Sequence, residues 1–437
     1  MAVIQGGEGV YPVESNPKAK CRVLFRPHDA YEGEYGFDWL REEDSGLANE
    51  PAYEGIIEGG YKDGKSDLSS AEAYKALKTE YNRFPIWGFG NHGTWTDDRG
   101  YSIGFGEYFV PYLNLFPKPF CNTVDYSPAP PYEAKLKVLV EIKDIIEFEY
   151  NNEFLSIDGQ GMFRLKDKSI CPLKVSDNDT LTISCIKDIS AYQDGEVKVY
   201  AHFTNDEGEF RKTLAGKLLV CPNDRNNRKE AKIVMVHVKT AFHPGERRPS
   251  DIIALRQFFY QALVVPSIIC ETQNKNGYNE DIALDVENEF DYTGRGRFIN
   301  PTGDIIFDMQ LIKDLARKFR DLRISSQYGK YFKIFIIGSE CVGLKYTGMA
   351  NPVYDSSNNQ IGFFKEAVVF SNRAESSVVH EIMHCCQLFH THNSSPPLVA
   401  KNAKYIYPEK GTDNMMSYNA KRQTTWHWQW KIIRNNL

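Results

Sequence analysis

The sequence predicts a multidomain protein with a β-rich N-terminal region, an antiparallel β-sandwich in the middle and an α/β domain at the C-terminal end. At 437 residues the chain is longer than one compact domain usually requires. A proline-rich connector at Tyr126 to Glu133 and a polar linker at Cys221 to Glu230 separate stretches with different apolar patterns. We therefore expect domains at residues 1–130, 131–224 and 228–437.

The N-terminal region is rich in Gly, Tyr, Phe and Pro and contains short apolar runs between turns. Residues 22–27 and 101–116 have the composition of strands, whereas helical periodicity is clear only at residues 69–81. The three prolines of YSPAPPYE stiffen the connector, because proline fixes φ and restricts the residue before it. A domain boundary is expected there.

The stretch after the connector alternates apolar and polar residues over runs of roughly five to eight residues, broken by Asn, Asp and Gly. Such alternation is typical of strands with one buried face. The regular spacing of the runs favours an antiparallel sandwich of immunoglobulin-like type. The runs are LKVLVEI, IEFEY, FLSIDG, TLTISCI, VKVYAHF and KLLVC.

From residue 232 onward the pattern changes to strands that alternate with helices, which favours an α/β fold. The segments KIVMVHVKT, VVPSIICET and YFKIFIIGS are apolar enough to be buried strands. Amphipathic helices are expected at residues 250–263 and 308–322, and a further helix at residues 374–389. This last helix carries the most informative residues of the chain.

Composition and charge argue against several classes of partner. A net charge of -6 and a pI near 6.0, without a long Lys/Arg run, give no electrostatic basis for binding nucleic acid. The chain has no apolar stretch long enough to span a bilayer, and its N-terminus lacks the segments of a signal peptide. We therefore expect no membrane span, synthesis in the cytoplasm, and export, where it occurs, by a signal-independent bacterial secretion system.

The segment His380-Glu381-Ile382-Met383-His384 has the spacing of a zinc-binding helix. At about 100° per residue, two residues four positions apart lie roughly 40° apart on one helix face and about 6 Å apart along the axis. His380 and His384 can therefore bind one Zn²⁺, with Zn–N distances of about 2.1 Å. Glu381 lies on the adjoining part of this face and can reach a water molecule without being a ligand. The pattern indicates a hydrolytic site.

The surroundings of this motif resemble the metzincin clan of zinc metalloendopeptidases, whose pattern is H-E-x-x-H-x-x-G-x-x-H followed by a methionine turn. The motif lies in a predicted helix, His390 follows it, and Met416-Ser417-Tyr418 comes later. The resemblance covers the C-terminal half only. It implies a zincin-type domain, with a five-stranded sheet over an active-site helix.

The resemblance also implies a role for each matching residue. It makes His380, His384 and His390 the zinc ligands, Glu381 the general base, Met416 the methionine under the metal, and Tyr418 a tyrosine that stabilises the oxyanion or binds the metal. From the residues alone, two alternatives stay open, since methionine often fills gaps in a core. Met416 can be a core residue, and Tyr418 a packed tyrosine.

Gln387 stands where the metzincin pattern has glycine. If the helix continued, His390 would lie about 15 Å from His380 along the axis, too far to share one ion. The chain must therefore reverse between Cys386 and Phe389. A positive φ costs a residue other than glycine on the order of 1 kcal/mol, against roughly 10 kcal/mol from a structural zinc ion. Alternative third ligands are His392, Glu409 and Asp413.

The site predicts a zinc-dependent endopeptidase that acts on a protein or peptide substrate. Glu381 would accept a proton from water as a peptide carbonyl is attacked, and would pass it to the leaving amine. Two alternatives remain open. One is a catalytically inactive zinc-binding module that acts in protein or cell-surface binding. The other is an enzyme held latent by its N-terminal region, with Cys21 a candidate by residue type alone.

Residues Val23 to Arg41 are similar to the leader regions of bacterial effector proteins that are loaded onto contractile secretion machines. The similarity implies an exported effector or toxin protease that docks to a secretion apparatus through residues 1–222. Accessory β-rich domains that bind substrate or a cell surface are the alternative.

Overall fold

The structure is a computed structural model of the 437-residue chain. The residues that it describes are 22–42, 51–62, 66–87, 93–96, 102–140, 145–159, 172–173, 180–204, 210–273, 279–287, 298–300, 302–306, 309–342, 347–358, 360–392 and 403–437.

Strands outnumber helices in the described part of the chain. Up to residue 126 the elements are β1 (Val23–Pro27), β2 (Gly36–Asp38), α1 (Tyr53–Ile56), β3 (Gly60–Lys62), β4 (Ser66–Leu68), α2 (Ser70–Lys78), β5 (Arg83–Trp87), β6 (Gly93–Thr96), β7 (Ser102–Phe109), β8 (Tyr112–Asn114) and α3 (Lys118–Cys121). The next are β9 (Glu133–Val140), β10 (Ile145–Tyr150), β11 (Leu155–Gly159), β12 (Pro172–Leu173), β13 (Thr180–Cys185), a 3-10 helix (Tyr192–Gly195), β14 (Glu196–Thr204) and β15 (Phe210–Val220).

The remaining elements follow the polar linker. They are β16 (Lys229–Lys239), α4 (Pro249–Gln261), β17 (Val264–Ile269), β18 (Glu271–Gln273), β19 (Asn279–Asp281), β20 (Ala283–Asp285), β21 (Ile305–Ile306), α5 (Gln310–Asp321), a 3-10 helix (Arg323–Tyr328), β22 (Phe332–Ile337), β23 (Cys341–Val342), β24 (Gly348–Tyr354), β25 (Gln360–Val369), α6 (Ser377–Cys385) and α7 (His427–Asn435).

The chain divides into two compact units. Unit 1 comprises Met1–Ile57 and Ser70–Asn227, and unit 2 comprises Glu58–Ser69 and Arg228–Leu437. Sheets dominate, and helices accompany them, so the fold is mixed α/β, rich in sheet and multidomain. The prediction is confirmed at this level. Among the helices in the described ranges, none combines the length and apolar character needed to cross a membrane.

Two sheets of unit 1 share one core, and a third, three-stranded sheet has the order β5-β7-β6. The first has the order β1-β9-β13-β11 and the second has the order β12-β10-β14-β15-β8-β2. In β13 half-buried and buried positions alternate, as expected of a strand with one face in the core. A single cluster of buried apolar side chains includes Phe25 and Leu136 of the first sheet and Phe148 and Val197 of the second.

The predicted boundary at residue 130 lies inside unit 1. β1 pairs with β9 in antiparallel register, Val23 opposite Val140, and β8 pairs with β15 in parallel register. Strands from the predicted N-terminal region therefore complete both sheets of the predicted middle domain. The alternation of apolar residues within a strand does not reveal which strands pair, so the boundary could not be placed from the connector alone.

Unit 2 contains a sheet of order β17-β16-β22-β25-β24, with β20 also paired to β16. Its strands are parallel except β24, which is antiparallel to β25 and lies at the edge. β22 is buried along its whole length, as expected when both faces of a parallel sheet are covered. Leu311 and Phe319 of α5 share a core with buried side chains of β22. Helix α6 contacts β22, β24 and β25 and packs on α4.

A short segment from the N-terminal half also belongs to unit 2. β3 and β4 form a hairpin, and the Glu58 N–H donates to the Ile406 carbonyl at 2.8 Å. The Ile406 N–H in turn donates to the Gly59 carbonyl at 2.9 Å. The approach is close, because a Cβ at Gly60 would lie 2.2 Å from the Lys404 carbonyl oxygen. The prediction of a self-contained domain at residues 228–437 did not include this hairpin.

Candidate metal centre

The start of α6 is fixed by a buried ion pair with α4. Arg373, in the turn before α6, pairs with Asp251 through Nη2–Oδ2 at 2.8 Å and Nε–Oδ1 at 3.2 Å. Arg373 also donates to the carbonyl oxygens of Phe370 at 3.2 Å and Glu246 at 2.7 Å. A buried arginine with this many acceptors holds the backbone around it in one arrangement. The helix that carries the histidines therefore starts from a rigid turn.

Gln387 ends this helix by reversing the chain. Its φ is +68°, in the left-handed region, and its N–H donates to the His384 carbonyl at 2.7 Å. The Leu388 N–H donates to the Met383 carbonyl at 3.0 Å. These two bonds define a Schellman motif, which usually has glycine at the left-handed position. The reversal falls where it was predicted, so α6 is shorter than the helix predicted at 374–389.

The side chain of Gln387 supports the same turn. Its Nε2 donates to the Phe363 carbonyl at 2.7 Å, and its Oε1 accepts from the Phe363 N–H at 3.1 Å. Nε2 also lies 3.3 Å from the Cys385 carbonyl oxygen. Gly362 leaves space for this contact, since a Cβ there would lie 2.4 Å from Oε1. The carboxamide thus pairs with β25 as a neighbouring strand would, which a glycine could not do.

The reversal brings His390 back to His380 and His384. The Nε2 atom of His390 lies 3.1 Å from that of His380 and 3.0 Å from that of His384. All three ligand atoms lie within 4.8 Å of one another. Nitrogen atoms about 2.1 Å from a tetrahedral ion are roughly 3.4 Å apart, so the cluster has the dimensions of a metal site. It could hold a metal ion.

The hydrogen bonds of the other ring nitrogens fix the tautomers. Nδ1 of His380 lies 3.0 Å from the Met415 carbonyl oxygen, and Nδ1 of His384 lies 2.7 Å from that of Leu388. Since a carbonyl only accepts, each Nδ1 carries the proton and each Nε2 presents its lone pair to the cluster. Burial lowers the pKa of His384 to about 4 and the pKa of His380 and His390 well below the usual value. Neutral imidazoles are the form that binds metals.

Glu381 lies between the first two histidines in sequence and is 7% exposed. It is not a member of the histidine cluster. Its side chain approaches β24 closely, because a Cβ at Gly348 would lie 2.9 Å from its Cγ. Burial raises the pKa of Glu381 to about 8, whereas a hydrogen bond with the Ala350 backbone and the charge of Arg422 lower it. A carboxyl group with a pKa near neutrality can both accept and return a proton.

Met416 lies fully buried in a turn at residues 414–417. Its N–H donates to the Asn414 Oδ1 at 2.9 Å, and the Ser417 N–H donates to the Asn414 carbonyl at 3.0 Å. The Asn414 and Gln429 carboxamides donate to each other at 2.8 and 3.1 Å, which ties the turn to α7. The neighbouring Met415 supplies the carbonyl that orients His380. The turn therefore has a role in positioning a histidine of the cluster.

Tyr418 lies next to the histidine cluster. Its Oη is 3.3 Å from Nε2 of His390, and the two ring centroids are 4.9 Å apart. His392 also contacts this tyrosine, with ring centroids 4.5 Å apart. The hydroxyl is thus within reach of any group that the three Nε2 atoms surround.

Three further residues adjoin the cluster, and of these only His392 was considered from sequence, as an alternative ligand. Phe363 stacks on His384 with centroids 4.7 Å apart, and His392 stacks on His390 with centroids 4.9 Å apart. The Cζ of Arg422 lies 5.6 Å from the centroid of Tyr418. No sequence signal identified Phe363 or Arg422, since neither belongs to the motif and Phe363 comes from a different element.

The alternative ligands proposed from sequence are not in the cluster. Neither His392, Glu409 nor Asp413 joins the three histidines, and the Asp413 carboxylate accepts from the Thr424 hydroxyl at 3.1 Å. Among residues 22–130, as far as they are described, none belongs to the cluster either. Cys21, proposed as a latency ligand, lies outside the described residues.

No protein-family model matches the chain, and no curated protein matches it. A solved structure, metalloproteinase-II from Bacteroides fragilis, aligns over 84% of this chain and 95% of its own, with 8% identity and a TM-score of 0.30. A TM-score this low does not establish a common fold.

Proposed function

We propose that this chain is a zinc-dependent endopeptidase of metzincin-like type, with Glu381 as the general base. The observation that carries the proposal is the convergence of three Nε2 atoms, two from α6 and one from the loop after Gln387. Three neutral imidazoles suit zinc among the common divalent metals. In this proposal unit 2 is the zincin-type catalytic domain, and unit 1 is an accessory sandwich of immunoglobulin-like type.

When bound, zinc supplies a Lewis acid that polarises a carbonyl oxygen and lowers the pKa of water. Glu381 takes the proton from the attacking water and passes it to the leaving amine. Tyr418 places a hydroxyl 3.3 Å from His390, where it can donate to a developing oxyanion. Met416 has a structural role in the turn that orients His380 through Met415.

An extended peptide is the substrate that suits the surroundings of Glu381 best. β24 is an edge strand of its sheet in the described part of the chain, and Gly348 at its start packs against Glu381. A peptide laid along such an edge forms main-chain hydrogen bonds that do not depend on its sequence. A peptide bond would then lie near both the carboxylate and the histidine cluster.

The substitution Glu381→Gln tests the proposal. The variant should bind zinc as the wild type does and lose about 10²–10⁴-fold in peptide cleavage, because the proton acceptor is gone. Zinc content is measured by elemental analysis, and cleavage with a quenched peptide library before and after chelator treatment. Glu375→Gln is the matched control, since Glu375 is exposed and lies just before α6.

Two results would count against the proposal. If Glu381→Gln cleaves peptides at the wild-type rate, Glu381 is not the general base. A full-length protein that binds zinc but cleaves no peptide favours the inactive zinc-binding module.

A further inference from the structure

Arg422 is a partly buried arginine that has no carboxylate partner in the described part of the chain. Its Nη1 donates to the Ser376 Oγ at 3.4 Å, and its guanidinium lies over the Tyr418 ring. A guanidinium has five N–H donors, so most of them have no acceptor among these contacts. Two other arginines of unit 2 that are buried or half-buried are paired with carboxylates, Arg373 with Asp251 and Arg247 with Asp281.

His392 is a second group whose polar atoms lack partners. It is 2% exposed, and neither of its ring nitrogens has a hydrogen-bond partner within the described ranges. Leaving a buried polar group without a partner costs about 1–3 kcal/mol, so such groups usually have a role. Like Arg422, His392 contacts the ring of Tyr418, whose hydroxyl faces His390. Two sets of donors thus flank the tyrosine beside the proposed catalytic centre.

We propose that Arg422 and His392 form a carboxylate-binding subsite, so that the enzyme selects peptides with an acidic group beside the bond it cleaves. The inference rests on the proposed peptidase function. The planar fork of an arginine matches a carboxylate through two parallel hydrogen bonds, and a histidine N–H adds a third. The carboxylate belongs either to an Asp or Glu side chain or to the C-terminal end of the peptide.

Arg422 could instead act only through Glu381, since its positive charge also acts on that carboxylate. The two roles have different consequences. An effect through Glu381 changes the cleavage of every peptide by the same factor. A carboxylate subsite changes the ratio between acidic and neutral peptides.

The test compares zinc-loaded full-length wild type with three variants on peptides that differ only in Glu, Gln or Lys near the cleaved bond. One set has blocked ends, and a second set has a free C-terminal carboxylate. In the wild type, kcat/KM should favour the acidic peptide by roughly 10- to 100-fold, as expected for hydrogen bonds to a charged group. Arg422→Gln should abolish this preference, and Arg422→Glu should shift it to the Lys peptide. Lys421→Gln removes a neighbouring exposed charge and should keep the preference for the acidic peptide.

Each outcome decides the inference. Preference for Glu in blocked peptides, or for a free carboxylate over an amide, supports the subsite and identifies which carboxylate it binds. Equal cleavage of Glu and Gln peptides by the wild type, or a uniform loss in Arg422→Gln with the preference kept, overturns it. Zinc content and melting temperature of each variant show that the fold is intact.

If the wild type cleaves no peptide, the peptidase proposal fails and the subsite is tested by binding. Fluorescence anisotropy then compares labelled Glu and Gln peptides on the zinc-loaded protein. Tighter binding of the Glu peptide that is lost in Arg422→Gln supports the subsite, and equal binding overturns it.

Discussion

Gln387 shows how a side chain can support a backbone conformation that its own Cβ disfavours. The left-handed conformation at φ +68° costs roughly 1–2 kcal/mol for a residue other than glycine. Two hydrogen bonds to the Phe363 backbone, each contributing about 1 kcal/mol, offset that cost. The glutamine thus places His390 and also ties the turn to β25. A glycine would provide only the conformation.

Substitutions at Gln387 should separate these two contributions. Gln387→Ala keeps the strain and loses the hydrogen bonds, so unit 2 should lose about 1–2 kcal/mol of stability and bind zinc more weakly. Gln387→Gly loses the same bonds but relieves the strain, so its stability and zinc affinity should lie between those of Gln387→Ala and those of the wild type. Chelator competition gives the zinc affinity, and thermal unfolding gives the stability. An alanine variant equal to wild type in both measurements would show that the carboxamide contacts are not needed.

At the scale of elements, the loop that carries His390 is held by successive backbone hydrogen bonds. The Thr391 N–H donates to the Met416 carbonyl at 3.2 Å, and the Tyr407 N–H donates to the Thr391 carbonyl at 2.7 Å. The segment before Tyr407 is in turn paired with the β3–β4 hairpin at Gly59. The hairpin therefore supports the histidine cluster without belonging to it, through the segment before Tyr407 and the loop at Thr391.

Gly60→Ala should weaken this support. The added Cβ would lie 2.2 Å from the Lys404 carbonyl oxygen, so a backbone segment must move, at a cost of about 1–3 kcal/mol. We expect a lower melting temperature of unit 2 and a faster loss of zinc to a chelator. Gly55→Ala is the matched control, because a Cβ there has no neighbour within 4 Å and the position is helical. Unchanged zinc retention in Gly60→Ala would mean that the hairpin does not support the centre.

At the scale of the whole molecule, unit 2 is assembled from two separate parts of the chain. A fragment of residues 228–437 contains every member of the histidine cluster but lacks the hairpin. We expect it to bind zinc more weakly and to unfold at a lower temperature than the full chain. Fusion of residues 58–69 to residue 228 through a flexible linker should restore both properties. The zinc affinity of the three proteins, measured side by side, tests this.

The same fragment distinguishes latency from support. An enzyme inhibited by its N-terminal region would cleave peptides faster as the fragment than as the full chain. If the fragment instead suffers from the loss of a supporting hairpin, it should cleave peptides more slowly than the full chain. The export route and the docking role of residues 1–222 stay predictions.

Local spacing made part of the site predictable. His380, Glu381 and His384 lie within one helical turn, where sequence distance determines spatial distance. The reversal at Gln387 was also predictable, because a continuous helix could not bring His390 to the metal. Its stabilisation by Phe363 was not, since that contact joins different elements. For the same reason neither the hairpin, the pairing of β1 with β9, nor the position of Arg422 could be read from periodicity.

The bridge between residues 59 and 406 has a consequence for synthesis of the protein. Translation at about 5–20 residues per second separates the emergence of these two positions by tens of seconds. Closing so long a loop is entropically costly, and the pairing can offset that cost only after both segments have been synthesised. The nascent chain therefore cannot complete this support of the histidine cluster until residue 406 has left the ribosome, and until then the segment that carries Gly59 has to wait without its partner.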